Sequence, residues 1–401
     1  YDVMNVAQDP KDPQHYFVTT YGTGMLEMRA DSVVKLFLPN NSDLQSAAAN
    51  NPDNYTRTDG AMFDEQGNLW VLNMGNIDYN VHVINTKGNW YHLELYYNNT
   101  RIPIYTAGEI MVDRRNSQWK WIPILRDNTG VILLQDNGTP TNSSDDKVVY
   151  RSEWMDQNGH LIAPEFIYCM AQDYNNTIWV GTSKGLFIIK QDVDFSNSNA
   201  CERIIIPRND GTQLGDYLLE NEQINSIVVD GANRIWIGTA SSGLYLMQFT
   251  ESTLDADYTL ETVSHFTTEN SLLPSNNILS IAIQESTGEV FIGTGSGLVS
   301  YMSDAIEPEE DYNNLYVYPN PVYSTYQGQV VIKGLVEDTQ IRIVDASGNL
   351  LKILQSNGGE AVWNMTNANG NRVASGVYTV LCNSRGGQMH DSVKILIMNF
   401  C

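Results

Sequence analysis

Short runs of alternating apolar and polar residues recur along the first three quarters of the chain. Each unit has an apolar run, a turn rich in Asp, Asn and Gly, an aromatic run, and then a Gly-Thr corner with a Gly-Leu step into a further run. The clearest copies lie at residues 170–182, 228–239 and 281–294. The alternation has the period of a β-strand, and such turns accept the left-handed backbone of tight hairpins. The unit therefore predicts a small antiparallel sheet.

The aromatic residue of the second strand marks the repeat. Weaker copies at 6–26, 62–72 and 110–134 extend the series, and the markers are Phe17, Trp70, Trp121, Trp179, Trp236 and Phe291. The steps between them are 53, 51, 58, 57 and 55 residues. One such sheet cannot bury both faces alone, so sheets with this period stack radially as β-propeller blades. We predict a propeller over residues 1–302 and interpret the Trp residues and Gly-Thr corners as its scaffold.

The two ends of the repeat array carry information of their own. After Tyr301 the chain continues into an acidic segment that leaves no room for an outer fourth strand. At the other end, residues 1–6 lead almost directly into a segment that we interpret as an inner strand. We therefore expect an outer strand from an upstream N-terminal stretch. The prediction is six visible blades, with a seventh contributed by that stretch as the alternative.

The last quarter of the chain has a different organisation. Residues 303–315 cluster Glu and Asp around one Pro and predict an exposed, extended linker. From 316 to 401 the strand-spaced alternation with Gly-containing turns predicts about seven short strands, the number typical of an Ig-like β-sandwich. The predicted fold class is therefore all-β, with a β-propeller followed by an Ig-like β-sandwich.

Composition limits the environment and the partners. The 401 residues carry 23 Lys and Arg against 47 Asp and Glu, a formal charge of −24 that repels phosphate backbones and argues against nucleic acid. No run of about 18 apolar residues exists, so we expect no transmembrane helix. The chain starts at Tyr1 without a leader, and we interpret it as a mature or trimmed product or as a fragment of a longer chain.

The four cysteines show no spacing typical of a metal site. Cys169 lies in an apolar run and predicts a buried core thiol, with a Cys169–Cys201 disulfide as the alternative. Cys382 lies in the tail, and we expect Cys401 at the terminus to be free.

No catalytic constellation stands out. The histidines are scattered and form no metal-binding motif, and they are His15, His82, His92, His160, His265 and His390. The carboxylate pairs at 145–146 and 309–310 lie in polar segments, which predicts solvated surface. We predict no enzyme and no cofactor. A loop that binds Ca²⁺ through oxygen ligands stays open as an alternative, although no calcium-loop pattern specifies one.

A four-part pattern in the tail carries a family resemblance. It comprises Y-V-Y-P-N-P-V at 316–322, D-A-S-G-N-L at 345–350, A-S-G-V-Y-T-V at 374–380 and V-K-I-L-I at 393–397. This pattern resembles the type A C-terminal sorting domain of cargo of the Bacteroidetes type IX secretion system. The motif residues are Tyr318, Pro319, Asn320, Pro321, Gly348, Gly376, Tyr378 and Lys394. A recognised tail needs a contact surface, and the strand edge near 393–397 is our candidate for strand addition.

The prolines of the first motif also have mechanics of their own. Each proline fixes its own φ and favours an extended residue before it, so Pro319 and Pro321 predict a stiff edge strand or turn. A role in starting the domain and a role in recognition both stay open for this segment. We predict that the strand starting at Gly376 places Tyr378 in the core.

The repeats upstream resemble two-component-regulator propeller repeats. These occur in sensor domains of hybrid histidine kinases and in the PorZ family of type IX secretion components. A kinase sensor does not end in a sorting domain, so the pairing is similar to the PorZ family, with this chain as its second propeller and C-terminal domain. The resemblance implies a non-catalytic protein at the cell surface, attached to the outer membrane in the attachment complex.

The same resemblance implies partners. They are the sortase PorU, the barrel shuttle PorV and PorQ, together with anionic lipopolysaccharide, to which the sortase joins cargo. The alternative is a secreted cargo protein whose propeller binds or cleaves a glycan. The two hypotheses differ in one observable, because cargo loses its sorting domain at the cell surface and the component retains it.

On so acidic a protein an anionic glycan needs a local basic or aromatic patch, or a bridging cation. The candidates combine charge with stacking surface and are Arg114, Arg115, Trp119, Lys120 and Trp121. The alternative is that half of this string alternates into the core of a blade.

Overall fold

The protein is described by a computed structural model that covers residues 2–398, apart from 49, 53–54, 76–78, 191–193, 198–200, 209–210, 213, 252–257 and 327. Within these ranges the elements are strands, apart from one 3-10 turn at Ser143–Asp145. No helix in the described ranges is long and apolar enough to cross a membrane. The all-β prediction is confirmed.

The first two blades share one sheet. Blade 1 contains β1 (Val3–Asp9), β2 (Asp12–Gly22), β3 (Met25–Arg29) and β4 (Ser32–Phe37), and blade 2 contains β5 (Thr56–Phe63), β6 (Leu69–Met74), β7 (Val81–Ile84) and β8 (Trp90–Leu93). Neighbouring strands within each blade are antiparallel, and β2 also pairs with β5 where Tyr21 faces Arg57.

The next two blades are separate four-stranded sheets, preceded by short hairpins. The hairpin β9 (Tyr96–Tyr97) and β10 (Thr100–Arg101) leads into blade 3, with β11 (Met111–Val112), β12 (Trp119–Ile124), β13 (Gly130–Gln135) and β14 (Lys147–Arg151). The hairpin β15 (Trp154–Met155) and β16 (Leu161–Ile162) leads into blade 4, with β17 (Ile167–Gln172), β18 (Ile178–Thr182), β19 (Gly185–Ile189) and β20 (Cys201–Glu202).

Blade 5 completes the four-stranded series. A third hairpin, β21 (Ile205–Pro207) and β22 (Gly215–Tyr217), precedes β23 (Ile224–Val229), β24 (Ile235–Thr239), β25 (Leu244–Glu251) and β26 (Tyr258–Phe266). The contacts divide the chain into two compact units within this blade, one of Tyr1–Ile227 with Gly238–Ser242 and one of Val228–Ile237 with Gly243–Cys401. The predicted linker at 303–315 therefore lies inside the second unit.

The short hairpins before blades 3, 4 and 5 were not predicted. They add residues to these three repeats, but they do not set the period, because the steps of 53 and 55 residues into blades 2 and 6 have no such hairpin among the described residues. The sequence does contain a signal for them. Asn98 and Asn99 both have positive φ, 50° and 60°, as a two-residue type I′ turn requires.

Blade 6 has three strands in the described chain: β27 (Ile278–Gln284), β28 (Glu289–Thr294) and β29 (Gly297–Met302), with β29 at the edge. The expectation that no fourth strand follows Tyr301 within the blade is confirmed. The described residues thus form six blades, as predicted, in five sheets because blades 1 and 2 share one.

The Gly-Thr corner works as the sequence predicts. In blade 4 the Thr182 hydroxyl donates to the Gly185 carbonyl at 2.8 Å, which closes the turn between β18 and β19. A Cβ on Gly181 would lie 2.6 Å from the sulfur of Cys169 and 2.8 Å from a methyl group of Ile224. Only glycine therefore allows this close approach of β18 to its neighbours.

The tail consists of eight strands in two sheets, so the predicted count of about seven was one short. They are β30 (Tyr316–Tyr318), β31 (Val322–Tyr323), β32 (Val330–Lys333), β33 (Gln340–Val344), β34 (Leu350–Gln355), β35 (Glu360–Trp363), β36 (Gly376–Asn383) and β37 (His390–Met398). One sheet has the order β30-β32-β35 and the other the order β31-β37-β36-β33-β34. Trp363, Ile341, Val380 and Ile395 are among the side chains of their shared core, as in a β-sandwich.

Residues 303–315 are not the exposed, extended linker that their acidic composition predicts. Ala305 is 1% exposed and Tyr312 is 6% exposed. The Tyr312 hydroxyl also lies 2.8 Å from that of Thr339 in the tail. The Glu and Asp side chains of this segment face solvent, whereas Ala305 and Tyr312 between them are buried. The prediction was wrong because it relied on the charge of the segment alone.

The described cysteines are all free thiols, so the alternative of a Cys169–Cys201 disulfide is wrong. Burial raises the pKa of both thiols to about 12. The prediction for Cys401 falls outside the described residues.

Candidate functional site

A buried Asp–Trp pair recurs in four blades, at the turn between the first and second strands. The indole nitrogen of the Trp donates to the carboxylate of the Asp, in the pairs Asp64–Trp70 (2.9 Å), Asp113–Trp121 (2.9 Å), Asp173–Trp179 (3.0 Å) and Asp230–Trp236 (3.1 Å). The other carboxylate oxygen accepts from backbone N–H groups of the turn. In blade 4 the Thr177 amide donates to the Asp173 carboxylate at 2.8 Å. This pairing uses the indole N–H group of each of these four Trp residues and fits a structural role.

The predicted glycan patch does not form one surface, and the prediction is wrong for Lys120 and Trp121. Trp121 is buried and bonded to Asp113. The ammonium of buried Lys120 lies 2.5 Å from Asp136, donates to the Ser117 carbonyl at 2.7 Å and sits 4.9 Å from the ring centre of Trp70. As consecutive residues of β12 they point to opposite faces, and both are buried because both faces of the strand are covered.

The remaining three candidates lie at the surface. The guanidinium of Arg115 donates two bonds to Asp113, at 2.9 and 2.6 Å, and lies 5.3 Å from the ring centre of Trp119. Burial alone would raise the pKa of Asp113, but hydrogen bonds from Arg115 and Trp121 hold it below its usual value. Arg114 is exposed and lies over the ring of Tyr174 at 4.3 Å. Arg114, Arg115 and Trp119 therefore stay a predicted contact, on a smaller surface.

The first motif of the tail closes a strand edge. The side-chain amide of Asn320 donates to the Lys394 carbonyl at 2.8 Å, and the Leu396 amide donates back to the Asn320 side chain at 3.1 Å. The Asn320 side chain thus replaces one residue of a strand paired with β37. The strand β31 continues this pairing in the parallel direction, with Val322 opposite Ile397. The edge at 394–398 is therefore occupied, so our candidate for strand addition at 393–397 is wrong over most of its length.

The other motif residues of the tail have distinct positions. Tyr378 is buried as predicted: its hydroxyl donates to the Ala374 carbonyl at 2.8 Å and its ring packs edge-on against Trp363. Gly348 has a φ of +85° in the turn between β33 and β34. Tyr318, at 67% exposed, and Lys394 face solvent on β30 and β37. Pro319 and Pro321 follow β30 and precede β31, in agreement with an edge segment.

A feature that sequence reasoning missed joins the tail to the blades of its own unit. We call it the joint: residues 303–309 together with Gly231, Gly358 and Gly359. A Cβ on Gly231 would lie 1.9 Å from the Ile306 carbonyl oxygen, and one on Gly358 would lie 2.1 Å from the same atom. Gly231 and Gly358 therefore contact the backbone of Ile306 from two sides, at positions where a larger residue would clash. No local pattern announces this contact, because its partners lie far apart in sequence.

Backbone hydrogen bonds hold the joint on both sides. On the blade side, the Ser303 amide donates to Gly288 at 3.0 Å and the Glu307 amide to Glu285 at 3.2 Å. On the tail side, the Gly359 amide donates to Ile306 and the Glu309 amide to Leu335, each at 2.9 Å. Arg234 adds side-chain contacts of 2.7 Å to both Ser303 and Asp304.

A polar cleft of about 260 Å³ at one end of blade 4 was also missed. Its lining comes from four separate segments and includes Glu165, Ser183, Lys184, Arg203 and Glu220. The Arg203 guanidinium lies 3.5 Å from the ring centre of Tyr217. In the described part of the chain no acid lies within ion-pair distance of the Lys184 ammonium, so a cation there is available to a ligand.

Two buried carboxyl groups are shifted toward neutral pH. Burial raises the pKa of Asp59 to about 7, with a further contribution from the nearby charge of Glu109, and burial raises the pKa of Glu109 as well. Over the residues that the structure describes, no group of three or more His, Cys, Asp or Glu is placed to hold a metal ion.

Comparison with known families supports the two-part reading of the chain. Residues 316–398 match the model of the secretion system C-terminal sorting domain. Residues 162–184 and 218–241 match the two component regulator propeller model. No curated protein matches the chain.

Among solved structures, PorZ of Porphyromonas gingivalis is similar over 99% of this chain, with 28% identity and a TM-score of 0.66. It is described as an essential surface component of the type IX secretion system. The extracellular domain of a hybrid two-component system of B. thetaiotaomicron covers 99% of the chain and 55% of its own, at 13% identity and a TM-score of 0.38. A gluconolactonase of Xanthomonas campestris covers 74% of the chain and 84% of its own, at 12% identity and a TM-score of 0.38.

The last two similarities are too low in TM-score to support an argument. This chain spans about half of the PorZ structure, 52% of its length. The sorting domain and the similarity to PorZ support an association with the type IX secretion system and an extracellular or cell-surface location. The chain thus carries a secretion-system C-terminal sorting domain after two-component-regulator-type propeller repeats, and over nearly its whole length it is similar to PorZ.

Proposed function

We propose that this protein is a non-catalytic surface component of the type IX attachment complex that keeps its sorting domain. In this role it assists the sortase PorU, together with PorV and PorQ, in joining cargo to anionic lipopolysaccharide. The observation that carries the proposal is the joint. A cargo tail has to be released, and this tail is built into the blades that precede it.

The physical reason lies in what a protease needs. Cleavage requires several consecutive residues in an extended and accessible form, and a segment held by backbone bonds must open first. The joint pairs its backbone on both sides, at Ser303, Glu307 and Glu309, and buries Ala305. Release of the tail therefore requires local unfolding of the joint.

The first test asks whether the tail is retained. The mass of the natural protein isolated from its cell surface is measured, and we expect residues 316–401 to remain attached. A protein that has lost them would be cargo, and the alternative of a propeller that binds or cleaves a glycan would take precedence.

A matched pair of variants tests the joint itself. Gly358→Ala combines a φ of +65° with a 2.1 Å clash against Ile306, whereas Gly370→Ala has a φ of +80° and no atom within 4 Å. Both place an Ala at a positive φ, so the variants differ mainly in the clash within the joint. We expect limited proteolysis between 303 and 315 to be about tenfold faster in Gly358→Ala only, a ratio worth roughly 1.4 kcal/mol. Equal rates in the two variants would mean that the joint does not protect the tail.

The glycan contact is proposed at the cleft of blade 4. Lys184 supplies a cation there, beside Arg203, whose guanidinium is ion-paired with Glu220 at 3.1 Å. Ser183 and Asn221 supply hydrogen-bonding groups, which suits an acidic sugar unit bound mainly by Lys184. We expect Lys184→Ala to weaken retention on immobilised anionic lipopolysaccharide about threefold or more, since a charge-assisted bond is worth roughly 1 kcal/mol or more. Lys147→Ala, an exposed lysine on β14 of another blade, is the control. Unchanged retention in both variants would move the contact to Arg114, Arg115 and Trp119.

A further inference from the structure

One side of the tail sandwich is apolar and open to solvent. It is the side of the five-stranded sheet that points away from the core, and we call its residues the outer face. In β36 the core residues Tyr378 and Val380 alternate with Val377 and Leu381, which therefore point outward. The large apolar side chains of the outer face are between 39% and 53% exposed, and they are Tyr323, Leu350, Ile353, Val377, Leu381 and Leu396.

The strand register joins these side chains into one patch. Leu381 of β36 lies opposite Arg342 of β33, and Arg342 lies opposite Ile353 of β34. On the other side of β36, Val377 lies opposite Leu396 of β37. Residues directly opposite each other on neighbouring strands share a face of the sheet and contact one another. The outer face is therefore continuous from β37 to β34.

Three of the four segments of the tail pattern contribute to the outer face. Their inward residues, such as Tyr378, belong to the core. Their outward residues take no part in the core, and those on the outer face are Leu350, Val377, Thr379, Lys394 and Leu396. The pattern therefore describes an exposed surface as well as a core.

The outer face carries cations and no acid. Arg342 and Lys394 point outward from β33 and β37, and no Asp or Glu does so from the described strands of this sheet. In the described tail no carboxylate forms an ion pair with either cation, whereas the smaller sheet pairs Lys333 with Glu360 at 3.4 Å. Residues 1–315 carry 42 Asp and Glu against 17 Lys and Arg. A positive face on so acidic a chain favours an acidic partner.

The size of the outer face indicates a reversible contact. Five strands about 4.8 Å apart and four outward rows about 7 Å apart cover roughly 500 Å². An exposed apolar patch of a few hundred Å² on a single chain is often functional. A stable complex buries about 800 Å² on each partner, and smaller contacts are typical of transient encounters. The outer face is thus large enough for docking and too small for a permanent dimer.

We propose that the outer face docks reversibly on a protein surface of the attachment complex that is apolar at its centre and has carboxylates around it. This inference rests on the proposed function. Leu381 lies at the centre of the contact, and Arg342 and Lys394 pair with the carboxylates. A second copy of the same face would bring like charges together. The level side chains of a sheet also do not reach the depth of about 5–10 Å at which apolar residues enter a bilayer.

A matched pair of variants tests the apolar centre. Binding of the natural full-length polypeptide to an isolated complex of PorU, PorV and PorQ is measured for the wild type and for each variant. We expect Leu381→Glu to weaken binding at least about tenfold, because it places a charge in the apolar centre. Val362→Glu should bind as the wild type does, since Val362 is equally exposed, at 37% against 40%, but lies on the smaller sheet.

A second pair tests the charge of the partner. Lys394→Glu should weaken binding about fivefold, because it brings like charges together in the contact. Arg385→Glu makes the same change in net charge in the turn between β36 and β37, away from the outer face, and should bind as the wild type does. Equal binding by these two variants would exclude an acidic partner surface.

The outcomes separate this inference from the proposed function. A wild-type protein that does not bind the complex would contradict the proposed function, and this inference with it. If the wild type bound and Leu381→Glu bound as tightly as Val362→Glu, the proposed function would stand and the outer face would not be the contact. A Leu381→Glu defect seen only with vesicles of phosphatidylethanolamine and phosphatidylglycerol would assign the outer face to lipid. A defect seen only in self-association by sedimentation would assign it to a second copy.

Discussion

In blade 4 the indole of Trp179 donates to the buried carboxylate of Asp173, whereas blade 6 has Phe291 and Gln284 at the two corresponding positions. Trp179 is fully buried, but Phe291 is only partly buried and Gln284 is exposed. A Phe has no N–H group to donate, so an Asp next to it would be buried without a partner. Blade 6 therefore has neither member of the Asp–Trp pair.

The difference separates two ways of holding a blade. Blade 4 is fixed by a polar pair in its core and by a fourth strand over its third. Blade 6 lacks both features in the described chain. Its third strand, β29, pairs with β28 on one side, and no described strand pairs with it on the other side. We infer that the local stability of blade 6 depends on whatever covers β29, while blade 4 is complete in itself.

The comparison predicts the largest change in the free energy of unfolding when the marker aromatic residues are replaced. Trp179→Ala removes a fully buried ring and leaves Asp173 without its donor, so we expect a loss of about 4 kcal/mol in the free energy of unfolding. Phe291→Ala removes a smaller ring that is partly exposed, and we expect about 1–2 kcal/mol. Urea unfolding at neutral pH measures both.

A control separates the ring from the hydrogen bond. Trp179→Phe keeps most of the apolar area and removes only the donor, so its loss should lie between those of the other two variants. Equal losses in Trp179→Ala and Phe291→Ala would contradict the view that the two blades are held differently.

Much of this architecture could be predicted from the sequence because the repeat is local. The turn composition, the strand alternation and the Gly-Thr corner all depend on neighbours within about 15 residues. The Asp–Trp pair was also readable, because Asp64, Asp173 and Asp230 each lie six residues before their Trp. In blade 3 the spacing is eight residues, from Asp113 to Trp121, so a fixed-spacing search would have missed this copy.

The predictions that were wrong concern residues whose structural partners are distant in the sequence. Lys120 looked like a surface cation, but it is neutralised by Asp136, which the β12–β13 pairing brings close to it. The acidic segment 303–315 looked like a linker because composition reports on side chains and not on which backbone groups are paired. The joint depends on Gly231 and Gly358, which are more than 100 residues apart, and tertiary structure alone brings them together.

A smaller effect is expected at the third strand of blade 2. His82 of β7 faces Val71, as Phe187 of β19 faces Val180, so His82 stands where blade 4 has a phenylalanine. It is completely buried, and in the described chain neither ring nitrogen has a hydrogen-bond partner. Burial lowers the pKa of His82 to about 4, against a partly opposing effect of Asp43.

This shift makes blade 2 sensitive to acid. The unfolded chain binds a proton at His82 below about pH 6.5 and the folded protein only below about pH 4, so stability falls as the pH drops through this window. The full difference is about 3 kcal/mol, and about 2–3 kcal/mol of it is lost by pH 4.5. His82→Phe gives blade 2 the residue of blade 4 and should remove this part of the acid dependence.

Urea unfolding at pH 7.5 and pH 4.5 measures the effect. The stability lost between the two pH values should be smaller in His82→Phe than in the wild type by about 2–3 kcal/mol. His390→Gln, at an exposed position of the tail, should lose as much as the wild type. If His82→Phe also lost as much, the imidazole would be hydrated or paired in the folded protein, and blade 2 would not differ from blade 4 in its response to acid.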